Sequence, residues 1–372
     1  MIYIAGISIA FFLSFILLTK SHKSEADKIL VFWLFVTGVD LLLNYLFLSD
    51  KYHEFPYFLG VEAPLPLFQG PLLFLYAVAL TNTRLPKNTK WLLFIIPVGW
   101  YLFAAPFLSM PVDYKIKVCQ EFGAGHETFT HSTGIAIRIS GIIYIGLSLF
   151  IIKKYQARIK DHFSSIEKIN LQWLLYLVFG MACIWTAILF TNDSFAYMLI
   201  ALYICFIGYF GIKHIGIFTM MPSSEVAIPE LQIQQADQIQ PNRKYEKSAL
   251  TEEDALKIHE QLAKLMATEK LFKNPELTLS DLALKLGVQP NILSQVINSY
   301  EKMPFYDYVN GLRIIEFKRI VDIPENKKFT LLALAFEAGF NSKSTFNRHF
   351  KKSTQLTPKE YLQQTDIVLS HA

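Results

Sequence analysis

The chain has 372 residues, 52% of them hydrophobic, and a mean hydropathy of +0.32, which is too apolar for one ordinary soluble domain and long enough for two or more. Residues 1–217 hold 28 charged side chains while the shorter stretch 218–372 holds 38, so the apolar excess belongs to the first part. The net charge of +4 also comes from the first part, because the second carries 19 basic and 19 acidic residues, and overall charge is therefore no argument for nucleic-acid binding.

Seven apolar runs follow one another: Ile2 to Thr19, Ile29 to Leu48, Pro64 to Leu80, Trp91 to Phe107, Gly134 to Ile152, Leu171 to Thr191 and Ala196 to Ile217. Each is close to the ~20 residues that cross ~30 Å of hydrocarbon. Their repetition argues against a cleaved signal peptide as the general explanation. Pro64, Pro66, Gly70 and Pro71 interrupt the start of the third run. Lys and Arg are retained on the cytoplasmic side during insertion. Loops 1, 3 and 5 carry 11 of them (Lys20, Lys23, Lys28, Arg84, Lys87, Lys90, Lys153, Lys154, Arg158, Lys160, Lys168), and loops 2, 4 and 6 carry 3 (Lys51, Lys115, Lys117). This asymmetry predicts a multi-pass protein of the cell (inner) membrane with its N-terminus outside and its C-terminal domain in the cytoplasm. The cysteines Cys119, Cys183 and Cys205 are odd in number and far apart, which argues against a disulfide framework or a metal set.

Ionisable groups at the middle of a membrane helix cost roughly 2.5 to 3.5 kcal/mol on insertion scales, so they face a partner or a cavity. Asp40, Asn44, Gln69 and Arg138 fall at similar depth in the outward halves of runs 2, 3 and 5. The expectation is that Asp40 pairs with Arg138 and that the four line a pocket for an external signal. The alternative is that Arg138 snorkels to the outer headgroups and Asp40 bonds a neighbouring helix. The stretch Ser109 to Ser132, with His126 and His131, reads as an outer loop facing a ligand. Two histidines five apart in a loop do not make a metal site, and no cofactor is implied.

From Met220 to Lys247 the chain turns polar, with Gln232, Gln234, Gln235, Gln238 and Gln240 ahead of Pro241. Lacking apolar residues to pack, residues 218–248 read as a linker spanning roughly 30 Å. Beyond it Thr251-Glu252-Glu253-Asp254 opens a helix with Ala255, Ile258, Leu262 and Met266 on one face. Thr278-Leu279-Ser280-Asp281 opens another that ends at Gly287, followed by Pro290 to Asn298 with Leu293, Val296 and Ile297 inward. A long helix, Pro304 to Val321, is predicted to bury Phe305, Val309, Leu312, Ile315 and Ile320. Leu331 to Ala338, a turn at Gly339-Phe340 and Ser342 to Ser353 repeat the helix, turn, helix pattern, and Thr357-Pro358-Lys359-Glu360 starts a last helix. His259 and His349 read as surface residues. The fold class is therefore all-α: a seven-helix transmembrane bundle (1–217), the polar linker, and a soluble all-helical domain with two helix-turn-helix units (249–366).

Within residues 302–360 there are 11 basic and 6 acidic side chains, a local excess that the whole-chain balance hides. The outward positions of the last long helix collect Lys343, Ser344, Asn347 and Arg348, with Lys351 and Lys352 one turn on. Arg and Asn suit guanine and adenine edges, lysines suit phosphates, and the helix N-terminus near Ser342 adds backbone donors. Together these residues resemble the AraC/XylS family DNA-binding domain over residues 250–363. The matching residues are Leu282-Ala283, Leu293-Ser294, Arg313-Ile314, Leu334-Ala335, Gly339-Phe340, Phe346, Arg348, Phe350-Lys351-Lys352, Thr357-Pro358 and Tyr361. The resemblance implies base contacts from Asn291, Ser294 and Gln295 in the first unit and from Lys343, Ser344, Asn347 and Arg348 in the second. Gln295 departs from a frequent Arg, Gln355 from a usual Gly, and Leu362 from a frequent Arg.

The reading is a membrane-bound, sequence-specific transcription regulator that couples an external or membrane signal to promoter binding, and not an enzyme, because no nucleotide loop or catalytic triad is present. Its implied partners are double-stranded promoter DNA, the lipid bilayer, an unidentified signal ligand or membrane protein and, as an option left open, a second copy of the chain. The alternative is a transporter or channel whose cytoplasmic helix-turn-helix domain is a protein-interaction module.

Overall fold

The computed structural model describes residues 1–86, 88–121, 123–190, 193–214 and 250–363, and the expected linker 218–248 lies outside these. The described residues are helical, with one isolated β-bridge between Phe163 and Thr278. The chain divides into two units. One holds Met1–Lys154 with Leu171–Glu225, and the other holds Tyr155–Asn170 with Val226–Ala372.

In the first unit the helices are α1 (Ile2–Thr19), α2 (Glu25–Leu48), α3 (Pro66–Leu80), α4 (Thr89–Leu92), α5 (Ile95–Leu108), α6 (Val112–Gln120), α7 (Glu127–His162), α8 (Gln172–Phe190) and α9 (Asp193–His214). Among the described residues, four segments are long and apolar enough to cross a membrane: Ile2–Thr19, Glu25–Leu48, Thr89–Leu108 and Glu127–His162. The remaining apolar runs form shorter helices, Pro66–Leu80, Gln172–Ile188 and Ser194–Tyr209. A capping box at Ser24 and Asp27 starts α2, and Asp27 is buried against Lys20 at 2.9 Å, so the first sharp turn is closed by a charge-assisted contact. Helix α1 packs on α2 and α9. Gly6 permits this approach, because a Cβ there would lie 2.7 Å from that of Ala201. The stretch Ser109 to Ser132 is not a plain loop: it contains α6 and the first turn of α7, which begins at Glu127 and not at Gly134. At 36 residues α7 is about 54 Å long, well beyond the hydrocarbon thickness, and its last turns, from Tyr155, belong to the second unit.

The second unit contains α10 (Glu252–Glu269), α11 (Leu279–Leu286), α12 (Pro290–Tyr300), α13 (Phe305–Val321), α14 (Leu331–Glu337), α15 (Lys343–Thr354) and a last helix at 358–363. Local chemistry sets its boundaries. Thr251, Thr278, Thr330 and Ser342 cap α10, α11, α14 and α15 by accepting a backbone N–H three residues on, and Gly287 ends α11 in the left-handed region at φ +67. Helix α13 joins two cores. Its Phe305, Tyr308 and Val309 pack with Leu262, Leu282, Leu293 and Val296, while its Ile314, Phe317 and Ile320 pack with Leu334, Phe340, Phe346 and Phe350.

Three expectations are corrected here. Ile315 is 66% exposed, and the buried face of α13 instead includes Asn310 and Arg313, which apolar periodicity passes over. His349 is buried, and burial pushes its pKa down to about 4 despite the opposing pull of Asp307, so it is neutral near pH 7. His259 is half-buried, stacked on Tyr300 and bonded to Glu301 at 2.7 Å. Gln355 does take the left-handed conformation (φ +60) of the usual glycine, closing the end of α15 through its N–H to the Lys351 carbonyl at 2.8 Å.

Candidate nucleic-acid interface and bundle cavity

Helix α15 has one buried and one exposed face. Thr345, Phe346, His349 and Phe350 point inward, and Phe346 and Phe350 lie 4.7 and 5.5 Å from the Phe317 ring. Aromatic pairs of this kind contribute about 0.5 to 1.5 kcal/mol each beyond their area, so the helix is held firmly on α13. The residues expected to touch DNA, Lys343, Ser344, Asn347, Arg348, Lys351 and Lys352, are all exposed. Three of them have internal partners. Arg348 donates to the Tyr306 hydroxyl and lies over its ring, Lys352 pairs with Asp307 at 3.0 Å, and Ser344 shares a hydroxyl contact with Ser342 at 3.0 Å. Lys343 and Asn347 project outward with no such contact among the described residues, and Lys351 lies near enough to Glu360 to favour its ionised form. At the N-terminus of the helix, the Ser342 hydroxyl accepts from the Thr345 N–H at 3.2 Å.

In the first helix pair, Asn291 and Gln295 are exposed and Ser294 is half-buried, accepting from Asn298 at 3.4 Å. Helix α12 carries no Lys or Arg, so its outer face is polar but uncharged. The strong positive face belongs to the second pair alone.

Four residues that no local pattern reveals bear on the interface: Tyr306 and Asp307 on α13, which hold Arg348 and Lys352, and Ser165 and Glu167 from the segment 155–170. The Thr345 hydroxyl donates to the Glu167 carboxylate, and Asn341 donates to the Ser165 hydroxyl at 2.7 Å. Burial raises the Glu167 pKa, but the Thr345 and Ser165 hydroxyls together with Arg348 outweigh it and leave the carboxyl below its usual range, ionised at neutral pH.

In the first unit, Asp40, Asn44, Gln69 and Arg138 line a single cavity of about 410 Å³, together with Glu62 and His131. The expected Asp40–Arg138 ion pair is absent among the described residues. Asp40 is bonded instead to Asn44, whose amide donates to its carboxylate at 3.0 Å. The Gln69 carbonyl accepts from Trp33 at 2.7 Å and from Thr37 at 3.2 Å, while its buried Nε2 has no partner among the described residues. A buried amide donor facing a cavity costs about 1 to 3 kcal/mol until something accepts from it. Glu62, between α2 and α3, is the lining residue the sequence reading missed, since it falls in a loop with no periodicity. His126 is turned away, packed against Phe107 and Tyr114.

Residues 282–364 match the helix-turn-helix domain family. The chain is 26% identical over 89 residues to the transcriptional regulatory protein HptR of Staphylococcus aureus strain NCTC 8325 / PS 47, and equally to that of strains MSSA476 and MRSA252. The match covers 24% of this chain and 34% of the relative, so the chain spans about a third of the length of the curated proteins it matches. No solved structure matches it. Among the described residues, four apolar segments of the first unit are long enough to span a bilayer, and the C-terminal part of the chain carries a helix-turn-helix domain of the AraC type, similar to that of a transcriptional regulator.

Proposed function

We propose that the protein is a membrane-bound, sequence-specific transcription regulator in which a signal received by the membrane part alters promoter binding by the C-terminal domain. The observation that carries this reading is the outer face of α15, where Lys343, Asn347, Arg348, Lys351 and Lys352 stand exposed on a helix pinned by Phe346 and Phe350. Helix α15 would enter the major groove with Arg348 and Asn347 at base edges and the lysines at phosphates. Asn291, Ser294 and Gln295 on α12 would read a second segment with a weaker electrostatic hold.

Seven spans over residues 1–217, a linker at 218–248 and a tandem helix-turn-helix domain at 249–366 complete the proposed organisation. Support for the membrane part comes from exposed Phe12, Phe15, Leu102, Ile142 and Phe150, a surface that lipid accepts and water does not. The 11 to 3 distribution of basic residues between alternate loops supports a C-terminal domain on the same side as the chromosome. Asp40, Asn44, Gln69 and Arg138 form the proposed signal pocket, with the unpaired Gln69 amide as the donor that a ligand would satisfy.

The test is Arg348→Ala in the full-length protein held in lipid nanodiscs, assayed against duplexes selected from a random library by the wild type. A cost of about 1 to 3 kcal/mol, confined to one base position, is expected. Unchanged affinity and unchanged sequence preference would count against the reading.

A further inference from the structure

The surface of the second unit that includes the first turn of α15 is occupied by the chain's own segment Tyr155–Asn170. Phe163 bridges to Thr278, and the Ser164 N–H donates to the Leu277 carbonyl at 3.2 Å. The Ser164 carbonyl accepts from Asn310 and from Arg313, both at 3.2 Å, and its hydroxyl accepts from Arg313 at 3.1 Å. Ser164 is 1% exposed, so this is a seated contact at the seam between the two cores of α13. From there the segment reaches α15: Ser165 takes Asn341, and Glu167 takes Thr345.

The position of Glu167 matters. The first turn of a helix that enters a groove offers its N–H groups, its hydroxyls and its positive dipole end to a DNA phosphate. Here a carboxylate holds that place, engages the Thr345 hydroxyl, and lies near enough to Arg348 to interact with it. Arg348 itself is turned onto Tyr306. A duplex phosphate approaching the first turn of α15 and Arg348 meets a fixed negative charge, and one N–H of Arg348 is already given to Tyr306.

We propose that Tyr155–Asn170 is an internal occupant of the DNA-facing surface, a clasp that must leave before α15 can seat in a groove. The inference rests on the DNA-binding reading above. It also supplies a route for the signal, because Tyr155–His162 are the last turns of α7, the helix that carries the cavity residues His131 and Arg138. Any ligand that favours one setting of α7 over another shifts the balance between clasped and open forms by its difference in affinity for the two.

The experiment uses the full chain in nanodiscs with Cys119, Cys183 and Cys205 replaced by alanine and with Ser165→Cys and Asn341→Cys introduced. Random-library duplexes selected on the reduced protein are the probe. Oxidation is expected to weaken binding by at least about ten-fold, and dithiothreitol to restore it, since a covalently held competitor removes the open state. Equal binding by oxidised and reduced protein would overturn the clasp while leaving the regulator reading intact. So would failure of the pair to oxidise when each single cysteine reacts with maleimide. A reduced protein that selects no duplex would remove both. Independently, Glu167→Gln, which keeps the acceptor and deletes the charge, is expected to bind DNA about five-fold more tightly than the wild type, roughly the share that the charge adds to one hydrogen bond; weaker or unchanged binding would contradict the clasp.

Discussion

Replacing Arg313 by methionine is expected to lower the thermal transition of the C-terminal unit by roughly 10 to 20 °C, the equivalent of about 3 to 5 kcal/mol. Arg313 is 1% exposed yet fully engaged: its guanidinium donates to the Phe272 carbonyl at 2.7 Å, the Asn274 carbonyl at 2.8 Å, the Asn310 side chain at 3.1 Å and both oxygens of Ser164. Burial pushes its pKa down to about 10, with Glu167 and Tyr306 acting the other way, so it remains charged at neutral pH. Methionine fills comparable volume but leaves the carbonyls at 272 and 274 buried without a donor, which is where the cost arises. Arg313→Lys should recover less than half of the loss, because an ammonium cannot present a planar fork to oxygens on several sides. Unfolding of the full-length variants followed by near-UV circular dichroism reads this. A drop under about 1 kcal/mol for the methionine variant would mean that the seam is held by apolar packing alone.

Gly339→Ala is expected to be comparably damaging, about 3 to 5 kcal/mol, for two reasons that add. Gly339 has φ +104, which an L residue with a Cβ rarely adopts, and the added Cβ would lie 2.5 Å from the Phe272 carbonyl oxygen and 2.8 Å from the Lys273 Cα. Those are backbone atoms, so no side chain can swing away to relieve the clash. The turn must instead open, pulling Phe340 from its place in the second core. The Phe272 carbonyl is also the one that Arg313 holds, so the two substitutions touch one backbone turn and should not be additive in the double variant. Retention of the wild-type transition by Gly339→Ala would show that this turn shifts more freely than its contacts indicate. Additivity within about 0.3 kcal/mol would show that the sites act independently.

The elements that proved legible in the sequence are those written in local chemistry. Thr278 with Asp281, Gly287, Ser342, and the spacing of Phe346 and Phe350 each specify a cap or a face within a few residues, and the helices start and stop there. Long-range polar contacts are not written locally. Apolar periodicity assigns Ile315 to the core because it is apolar, yet Arg313 and Asn310 take the buried positions, since their donors meet carbonyls from residues 272, 274 and 164. His349 reads as a surface residue for the same reason, although Tyr306 covers it. The outer face of α15 is legible because its residue types and its periodicity agree. Glu167 is not, being distant in sequence and unremarkable in a basic loop. In the membrane part, Asp40 and Gln69 stand out as polar residues in apolar runs, whereas Glu62 does not, because a glutamate in a loop carries no signal of burial.

The most direct measurement is to cross-link cells expressing the full chain, wash their membranes, isolate the protein and sequence the DNA that remains attached. The fragments should concentrate at a small set of loci, and that enrichment should fall away in the Arg348→Ala protein, which still partitions with the membrane. DNA recovered in proportion to its abundance in the genome, with the same profile from wild type and Arg348→Ala, would contradict a membrane-held reader of DNA sequence.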